Sequence, residues 1–278
     1  MRLLNQTKTL FLFALLTGIF LSVGFFLGGY GGAIIALVFA GFMNFISYWY
    51  SDSIVLKMYN AREIDEENMP ELHRTVVKLS DKAEIPKPDL YEIDEDTPNA
   101  FATGRNPENS AVAVTSGLLE KLDTDEVEGV ISHEITHIKN RDTLIQSITA
   151  TVAGAITWIA HMLSFALIFG GRDNREAGSF LFVVFAPIAA LLIRTAISRS
   201  REYSADRGGG KLTGKPGELA SALRKISSYN ERGGFNASST TSHLFIYNPL
   251  KGESVWRLFS THPPLSERVK RLENLDVS

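Results

Sequence analysis

The sequence contains no cysteine, so it can form neither disulfide bonds nor a metal site with thiolate ligands. It also lacks an excess of basic residues. The formal net charge at pH 7 is −3, which argues against a nucleic-acid-binding surface. Any metal ion must therefore be bound by histidine, aspartate or glutamate side chains. The six histidines are His73, His133, His137, His161, His243 and His262.

Charge is absent from three long stretches, residues 9–51, 143–171 and 177–193. A helix needs roughly 20 apolar residues to cross the hydrocarbon core of a bilayer. The first stretch is long enough for two spans, which we predict at 9–28 and 32–50 with a glycine-rich turn between them. Its length, and the absence of an A-x-A-like cleavage site after it, argue against a cleavable signal peptide.

The other two stretches predict a third and a fourth membrane span, although a shallow, re-entrant pair of helices is an alternative for them. The lysines and arginines near the span ends lie almost entirely on one side, the exception being those of the loop 172–176. Such an asymmetry indicates which side faces the cytoplasm. It predicts a multi-pass protein of the cell inner (plasma) membrane, with both termini and both polar segments in the cytoplasm.

The predicted organisation alternates membrane and polar parts. It consists of a two-span membrane hairpin over 1–51, the first part of a polar domain over 52–142, a second membrane hairpin over 143–197 and the second part of the polar domain over 198–278.

Residue patterns in the polar parts predict an α+β domain. The predicted helices are Met69–Ala83, Thr124–Asp142, Ser198–Arg207, Glu218–Ser228 and Pro264–Leu275, and the predicted strands are Asp89–Ile93, Ala100–Thr103 and Ala111–Thr115. Asp123 and Glu126 predict a capping box at the start of the second helix. A loop is predicted over Gly208–Gly217, where glycines are frequent.

The motif that predicts chemistry is His133-Glu134-Ile135-Thr136-His137, within the helix predicted over Thr124–Asp142. Histidines four residues apart lie one helical turn apart on the same face, so both imidazoles can reach one metal ion. Glu134 projects close to that face and is suited to accept a proton from a metal-bound water. A chance match has a probability of about 1% in a chain of this length. The motif therefore predicts the two-histidine-plus-base arrangement of a zinc protease.

A zinc site of this type needs a third protein ligand, for which Glu202 is the best candidate. Asp206 lies one helical turn further on the same face, where it can accept a hydrogen bond from a ligand imidazole and fix its orientation. In isolation, these two acidic residues would indicate a solvent-exposed helix face. Beside the histidine motif, the metal role is favoured. Nitrogen and oxygen ligands suit zinc, although such a set would also accept cobalt or manganese.

Four motifs, in this order along the chain, resemble the membrane-embedded M48 zinc metalloproteases of the HtpX type. They are Asn99-Ala100-Phe101-Ala102-Thr103-Gly104, His133–His137, Glu202–Asp206 and Thr261-His262-Pro263-Pro264. Together with the four spans, the resemblance covers nearly the whole chain. It implies a gluzincin-like zinc protease domain with one Zn²⁺ per chain and with Glu134 as the catalytic base.

The resemblance also implies that Asn99 and His262 lie near the substrate, where they would steady the oxyanion. Asn99 is equally well explained as a turn residue at a strand edge. His262 has the alternative of a cap at a helix entry, over which the role near the substrate is favoured. The implied activity is an endopeptidase that removes misfolded or damaged membrane proteins. Two alternatives remain at this point, a non-catalytic scaffold stabilised by zinc and a processing protease with a specific substrate.

Two features of the segment after Asp206 need separate comment. Members of the family more often have alanine where this chain has Gly208, Gly209 and Gly210, so the local packing departs from the family pattern. The stretch 209–216 is similar to a nucleotide-binding P-loop, but Pro216 stands where serine or threonine must bind magnesium. We therefore expect no nucleotide.

Overall fold

The computed structural model describes residues 2–148, 199–232 and 263–276. Its helices are α1 (Arg2–Trp49), α2 (Ser51–Met58), α3 (Pro70–Ala83), α4 (Ser116–Lys121), α5 (Thr124–Asn140), α6 (Arg199–Thr213), α7 (Pro216–Arg232) and α8 (Leu265–Glu273). Its strands are β1 (Arg62–Glu63), β2 (Asp89–Ile93), β3 (Ala100–Asn106) and β4 (Asn109–Thr115). Residues 143–148 form a further short helical stretch. The rest of the predicted third span, the whole fourth span and His262 lie outside the described residues.

The helix α1 consists of two apolar helices joined at Gly28 and Gly29, whose backbone angles are not helical. Gly29 has φ of 56°, a left-handed conformation that glycine adopts without steric cost. Thr7–Phe25 and Gly28–Trp49 are each long and apolar enough to cross a membrane, in agreement with the first two predicted spans. Many of their large apolar side chains are exposed, as expected of a helix pair that faces lipid.

The sheet has the strand order β1-β2-β4-β3. β2 and β4 are parallel, whereas β1 pairs antiparallel with β2, and β3 pairs antiparallel with β4. Among the described strands, β3 is therefore at the edge of the sheet. In its register with β4, Ala102 lies opposite Val112. This register matters for the site because it decides where backbone groups point. The backbone N–H and C=O groups of the residues on either side of Ala102 face β4, whereas the N–H of Ala102 points away from β4, towards α5.

α5 is the central helix of the domain, since it packs against β3, β4, α3, α6 and α7. Its apolar residues recur at helical spacing, and the structure buries nearly the whole helix. Fully buried apolar side chains from α3, α5, α7 and the sheet form one continuous core. They include Val76, Leu79, Val112, Val114, Val130, Ile131, Ile135, Ile138, Leu219, Leu223 and Ile226. The histidine motif is thus on a helix that the core fixes along most of its length.

Most predicted elements are present with small changes in their ends. The capping box of Asp123 and Glu126 is formed as predicted. The β-hairpin of β3 and β4 is longer than predicted, and the short elements α2, α4 and β1 were not predicted. These three elements are too short to show a clear hydrophobic period.

The predicted loop over Gly208–Gly217 is wrong, because α6 continues to Thr213. Glycine has a low intrinsic helix propensity, but here tertiary packing overrides it. A Cβ atom on Gly208 would lie 2.4 Å from Cγ2 of Thr136, and one on Gly209 would lie 2.9 Å from Oγ of Ser132. The glycines therefore allow α6 to pack closely against α5, and this close packing defines the position of Glu202.

Candidate metal centre

The two histidines of the motif lie side by side on α5. The His133 and His137 ring centroids are 4.8 Å apart, and their Nε2 atoms are 3.2 Å apart. Both rings are almost fully buried, with exposed fractions of 1% and 3%. The helical spacing therefore places two imidazole nitrogens at one point, as the sequence predicted.

Glu202 reaches the same point from α6. Its Oε2 lies 3.8 Å from Nε2 of His133, and its Oε1 lies 3.6 Å from Nε2 of His137. One ligand atom from each of the three residues lies within 4.8 Å of the others, and all three residues are buried. Two imidazole nitrogens and a carboxylate oxygen are a donor set that suits a divalent transition metal such as zinc.

A carboxylate lies behind each imidazole. Oδ1 of Asp206 is 3.1 Å from Nδ1 of His133, and Oδ2 of Asp142 is 3.2 Å from Nδ1 of His137. In each ring, Nδ1 faces a carboxylate, while Nε2 faces the centre. Carboxylates in this position fix the tautomer and the orientation of metal-binding histidines.

Asp142 was not singled out in the sequence, and the end of α5 explains its position. Arg141 has φ of 59°, the N–H of Asp142 donates to the carbonyl of His137, and the N–H of Arg141 donates to the carbonyl of Ile138. This pair of bonds is a Schellman motif, which returns the chain over the last helical turn. An acidic residue five positions after the second histidine, at a helix end, was the signal that would have identified it.

Glu134 lies next to the metal ligands and contacts the edge strand. The N–H of Ala102 donates a 2.8 Å hydrogen bond to Oε2 of Glu134. Burial raises the pKa of Glu134 to about 7, with the charge of His137 opposing this shift and that of Glu202 adding to it. A carboxylate with such a pKa can both accept and release a proton near neutral pH.

The two imidazoles differ in their electrostatics. Burial lowers the pKa of His133 and outweighs the opposite effect of the nearby Asp206 carboxylate. Burial also acts to lower the pKa of His137, but Asp142, Glu202 and Glu134 outweigh it and raise this pKa to about 9. Because a histidine must be deprotonated to bind a metal, metal binding at His137 involves the release of a proton.

The structure describes the position of Asn99 but not that of His262, and the predicted role of each near the oxyanion stays a prediction. Asn99 is buried just before β3, where its N–H donates to Oγ1 of Thr115 and its carbonyl accepts from the N–H of Thr115. These backbone bonds fix the start of the edge strand. His262 lies outside the described residues, so its predicted role stays a prediction.

The comparisons with known proteins agree with this geometry. The sequence model described as Peptidase family M48 matches residues 66–276, most of the chain. The chain belongs to peptidase family M48. The M48 resemblance and the predicted class of enzyme, a metalloprotease, are thereby confirmed.

The M48 chain is also similar to individual proteins over almost its full length. It is 53% identical over 274 residues to "Protease HtpX homolog" of Pyrococcus furiosus, covering 96% of this chain and 95% of the relative. It is 50% identical to the protein of the same description from Salinibacter ruber, covering 98% of both chains. It is 48% identical over 278 residues to "Protease HtpX" of Legionella pneumophila, covering 97% and 99%. These relatives do not favour the alternative of a non-catalytic scaffold or of a specific processing protease.

One solved structure shows the same fold. The crystal structure of S. mikatae Ste24p aligns with a TM-score of 0.53 at 20% sequence identity, covering 98% of this chain and 66% of Ste24p. At this identity, the similarity concerns the fold alone. Together with the family match, it agrees with an α+β protease domain preceded by two candidate membrane helices.

Proposed function

We propose that this protein is a membrane-embedded, zinc-dependent endopeptidase that cleaves misfolded or damaged membrane proteins at the cytoplasmic face of the inner (plasma) membrane. The observation that carries the proposal is the convergence of His133, His137 and Glu202 beside Glu134 in one buried centre. Its metalloprotease class follows from membership of family M48. The metal, the substrates and the membrane orientation are the parts that we propose.

Zinc would be held by Nε2 of His133, Nε2 of His137 and the carboxylate of Glu202. The three donors lie on two helices that the core fixes, so the site needs no large rearrangement to bind an ion. When bound, zinc supplies Lewis acidity, which polarises the scissile carbonyl and makes a water molecule more acidic. The remaining chemistry belongs to side chains of the protein.

Glu134 is the proposed general base. It would take the proton of the attacking water on its carboxylate and deliver it to the amine that leaves. The N–H of Ala102 holds one carboxylate oxygen and thereby fixes the orientation of the side chain. In the metal-free site burial raises the pKa of Glu134 to about 7, and a group that both accepts and releases a proton is most effective when its pKa lies near the working pH.

Asn99 and His262 are proposed to steady the oxyanion. Asn99 precedes β3, and Ala102 of the same strand contacts Glu134, so this strand borders the centre. His262 directly precedes Pro263 and helix α8, and α8 reaches the centre through Arg268. Both residues are thus attached to elements that contact the site, which supports the proposal.

The proposed substrates follow from the position of the centre relative to the membrane hairpin. His137 lies only six residues before Thr143, the first residue of the predicted third span. Six residues span at most about 20 Å even when extended, so the metal should lie within about 20 Å of the start of that span. Residues 143–148 already pack against α1, since Ile145 and Ile148 share a buried cluster with Leu12 and Leu16. A centre in this position is suited to membrane proteins and to chains that emerge from the bilayer.

Cleavage of an unfolded model substrate by detergent-purified protein tests the proposed reaction. Wild type and Glu134→Gln are compared, each with zinc and with a chelator, and zinc content is measured in parallel. We expect only zinc-loaded wild type to cleave, with Glu134→Gln still binding zinc but at least 100-fold slower. If both proteins bind zinc and neither cleaves, the scaffold alternative regains support. Equal cleavage by both proteins would exclude Glu134 as the base.

The absence of cysteine allows a direct test of the proposed four-span topology. Single cysteines are introduced by Asn174→Cys, in the loop between the third and fourth predicted spans, and by Glu66→Cys, in the first polar segment. We expect a membrane-impermeant maleimide to label residue 174 in intact spheroplasts, whereas residue 66 should be labelled only after permeabilisation. Labelling of both residues, or of residue 66 alone, would contradict the proposed orientation.

A further inference from the structure

The carboxylate behind His133 is itself held by a buried arginine. Nη2 of Arg268 donates to Oδ1 of Asp206 at 2.7 Å, and Nε of Arg268 donates to Oδ2 of the same residue at 2.9 Å. Arg268 and Asp206 are each only 2% exposed. Oδ1 of Asp206 also faces Nδ1 of His133. A continuous row of polar contacts thus runs from helix α8 through α6 to a metal ligand on α5.

The bidentate geometry restrains Asp206 more strongly than burial alone would. Two parallel hydrogen bonds from a planar guanidinium fix both the position and the plane of a carboxylate. Because both of its oxygens accept from one rigid guanidinium, the carboxylate facing His133 has one orientation.

The carboxylate behind His137, that of Asp142, also lies near a buried arginine, but the contact differs. Arg201 is buried, and its charge interacts with Asp142, the carboxylate behind His137. Among the described residues, however, Nε and Nη1 of Arg201 have no hydrogen-bond partner. Arg201 can balance the charge of Asp142 but does not hold it through these two nitrogens. The bidentate fork is specific to the Asp206 side.

We propose that Arg268 is a positioning residue of the metal centre: it fixes the Asp206 carboxylate, which in turn fixes the His133 imidazole for the metal. The inference rests on the proposed zinc site at His133, His137 and Glu202. Helix α8, which supplies no metal ligand among the described residues, is on this account a functional part of the centre.

A double-mutant cycle of zinc affinity tests whether Arg268 acts through Asp206. Zinc and cobalt dissociation constants are measured by chelator competition for full-length wild type, Arg268→Gln, Asp206→Asn and the double variant. Loss of a residue that orients a metal ligand typically costs 10- to 100-fold in metal affinity. We expect about tenfold for Arg268→Gln, and no further loss when this change is added to Asp206→Asn.

The Co²⁺ absorption spectrum gives a second readout, because it reports the geometry of the bound metal. We expect Arg268→Gln and Asp206→Asn to change this spectrum in the same way. Arg268→Lys keeps the positive charge but not the fork, so it should remain folded and still bind zinc more weakly than wild type. This variant keeps the test valid if Arg268→Gln fails to fold.

Arg224→Gln is the matched control. Arg224 of α7 forms an exposed ion pair with Glu273 of α8, so this change also removes an arginine–carboxylate pair of α8, but an exposed one outside the buried row of contacts. We expect its zinc affinity and cobalt spectrum to match wild type. Additive losses in the cycle, or an unchanged affinity in Arg268→Lys and Arg268→Gln, would overturn the inference. Tight zinc binding by His133→Ala would instead overturn the proposed metal site.

Discussion

The two histidines of the centre are supported in different ways. His137 is backed by Asp142, a residue of the same helix end, and the backbone motif that places Asp142 is local. His133 is backed by Asp206 of another helix, and Asp206 is held by Arg268, 62 residues further along the chain. The placement of Asp142 is therefore encoded in a short segment, whereas the placement of Asp206 depends on the tertiary fold. We call the His137 side of the centre the local side and the His133 side the long-range side. The comparison predicts that the long-range side is more sensitive to mutation than the local side.

Asp206→Ala should have the largest effect on the folded state. It leaves the buried Arg268 guanidinium without its partner, which typically costs about 3–5 kcal/mol in the free energy of unfolding. We expect a marked fall in the melting temperature of the metal-free protein in detergent, together with weaker zinc binding. A melting temperature within a degree or two of wild type would contradict the assigned role of the ion pair.

Asp142→Ala makes the same substitution on the local side. The Schellman hydrogen bonds are made by the backbone and should survive. The buried Arg201 loses the charge of Asp142 but keeps that of Glu202 and loses no bidentate fork, so the loss of stability should be smaller than for Asp206→Ala. We expect zinc affinity to fall by about 10- to 100-fold because His137 loses the group that orients it. Chelator competition measures this loss. A destabilisation as large as that of Asp206→Ala would remove the distinction between the two sides.

Gly209→Ala tests the close contact that brings Glu202 to the histidines. The new methyl group would lie 2.9 Å from Oγ of Ser132 and 3.0 Å from the backbone nitrogen of His133. Overpacking of this kind typically costs about 1–3 kcal/mol, and here it should also displace Glu202 and weaken zinc binding.

Gly217→Ala in α7 is the control for this prediction. A methyl group at that position meets no atom within 4 Å, so alanine should raise stability by up to about 1 kcal/mol through its higher helix propensity. Thermal melting of both variants measures the difference. If both changes stabilise the protein, the spacing of α5 and α6 is not set by the glycines.

Arg141→Gly, next to Asp142 on the local side, should have the smallest effect on stability of these variants. Arg141 adopts a left-handed conformation that disfavours residues with a Cβ atom by about 1–2 kcal/mol, partly offset by the greater freedom of glycine when unfolded. We expect a slight increase in melting temperature and no change in zinc affinity, since the Asp142 contact is kept. A loss of affinity would show that the arginine side chain itself supports the centre.

The difference between local and long-range contacts also explains how much of the site could be predicted from the sequence. One helix contains the capping box together with His133, Glu134 and His137. Its hydrophobic residues recur at helical spacing, which can be recognised in a short stretch of sequence. Glu202 and Asp206 are four residues apart, and this spacing predicted that they share one face of a helix. The structure places both residues beside the histidines of α5.

Arg268 could not be predicted, because its partner lies on another helix and no local pattern links the two. Gly208 and Gly209 were assigned to a loop because propensity favours this assignment, whereas the tight contact with α5 stabilises a helix. In each case, the missing information was which helix packs against which. Local patterns predicted most elements of the fold, but not their mutual packing.

The long-range support of His133 has a consequence for biosynthesis. The ribosome makes His133, Glu134 and His137 well before Glu202, and Arg268 follows later still. The histidine pair can fold on α5 early, but the third ligand and the restraint on the first arrive only with α6 and α8. A nascent chain that has reached α5 therefore carries the base without a complete metal site. We therefore expect a nascent chain to bind the metal only after α6 has supplied Glu202, and to bind it with full affinity only after α8 has supplied Arg268.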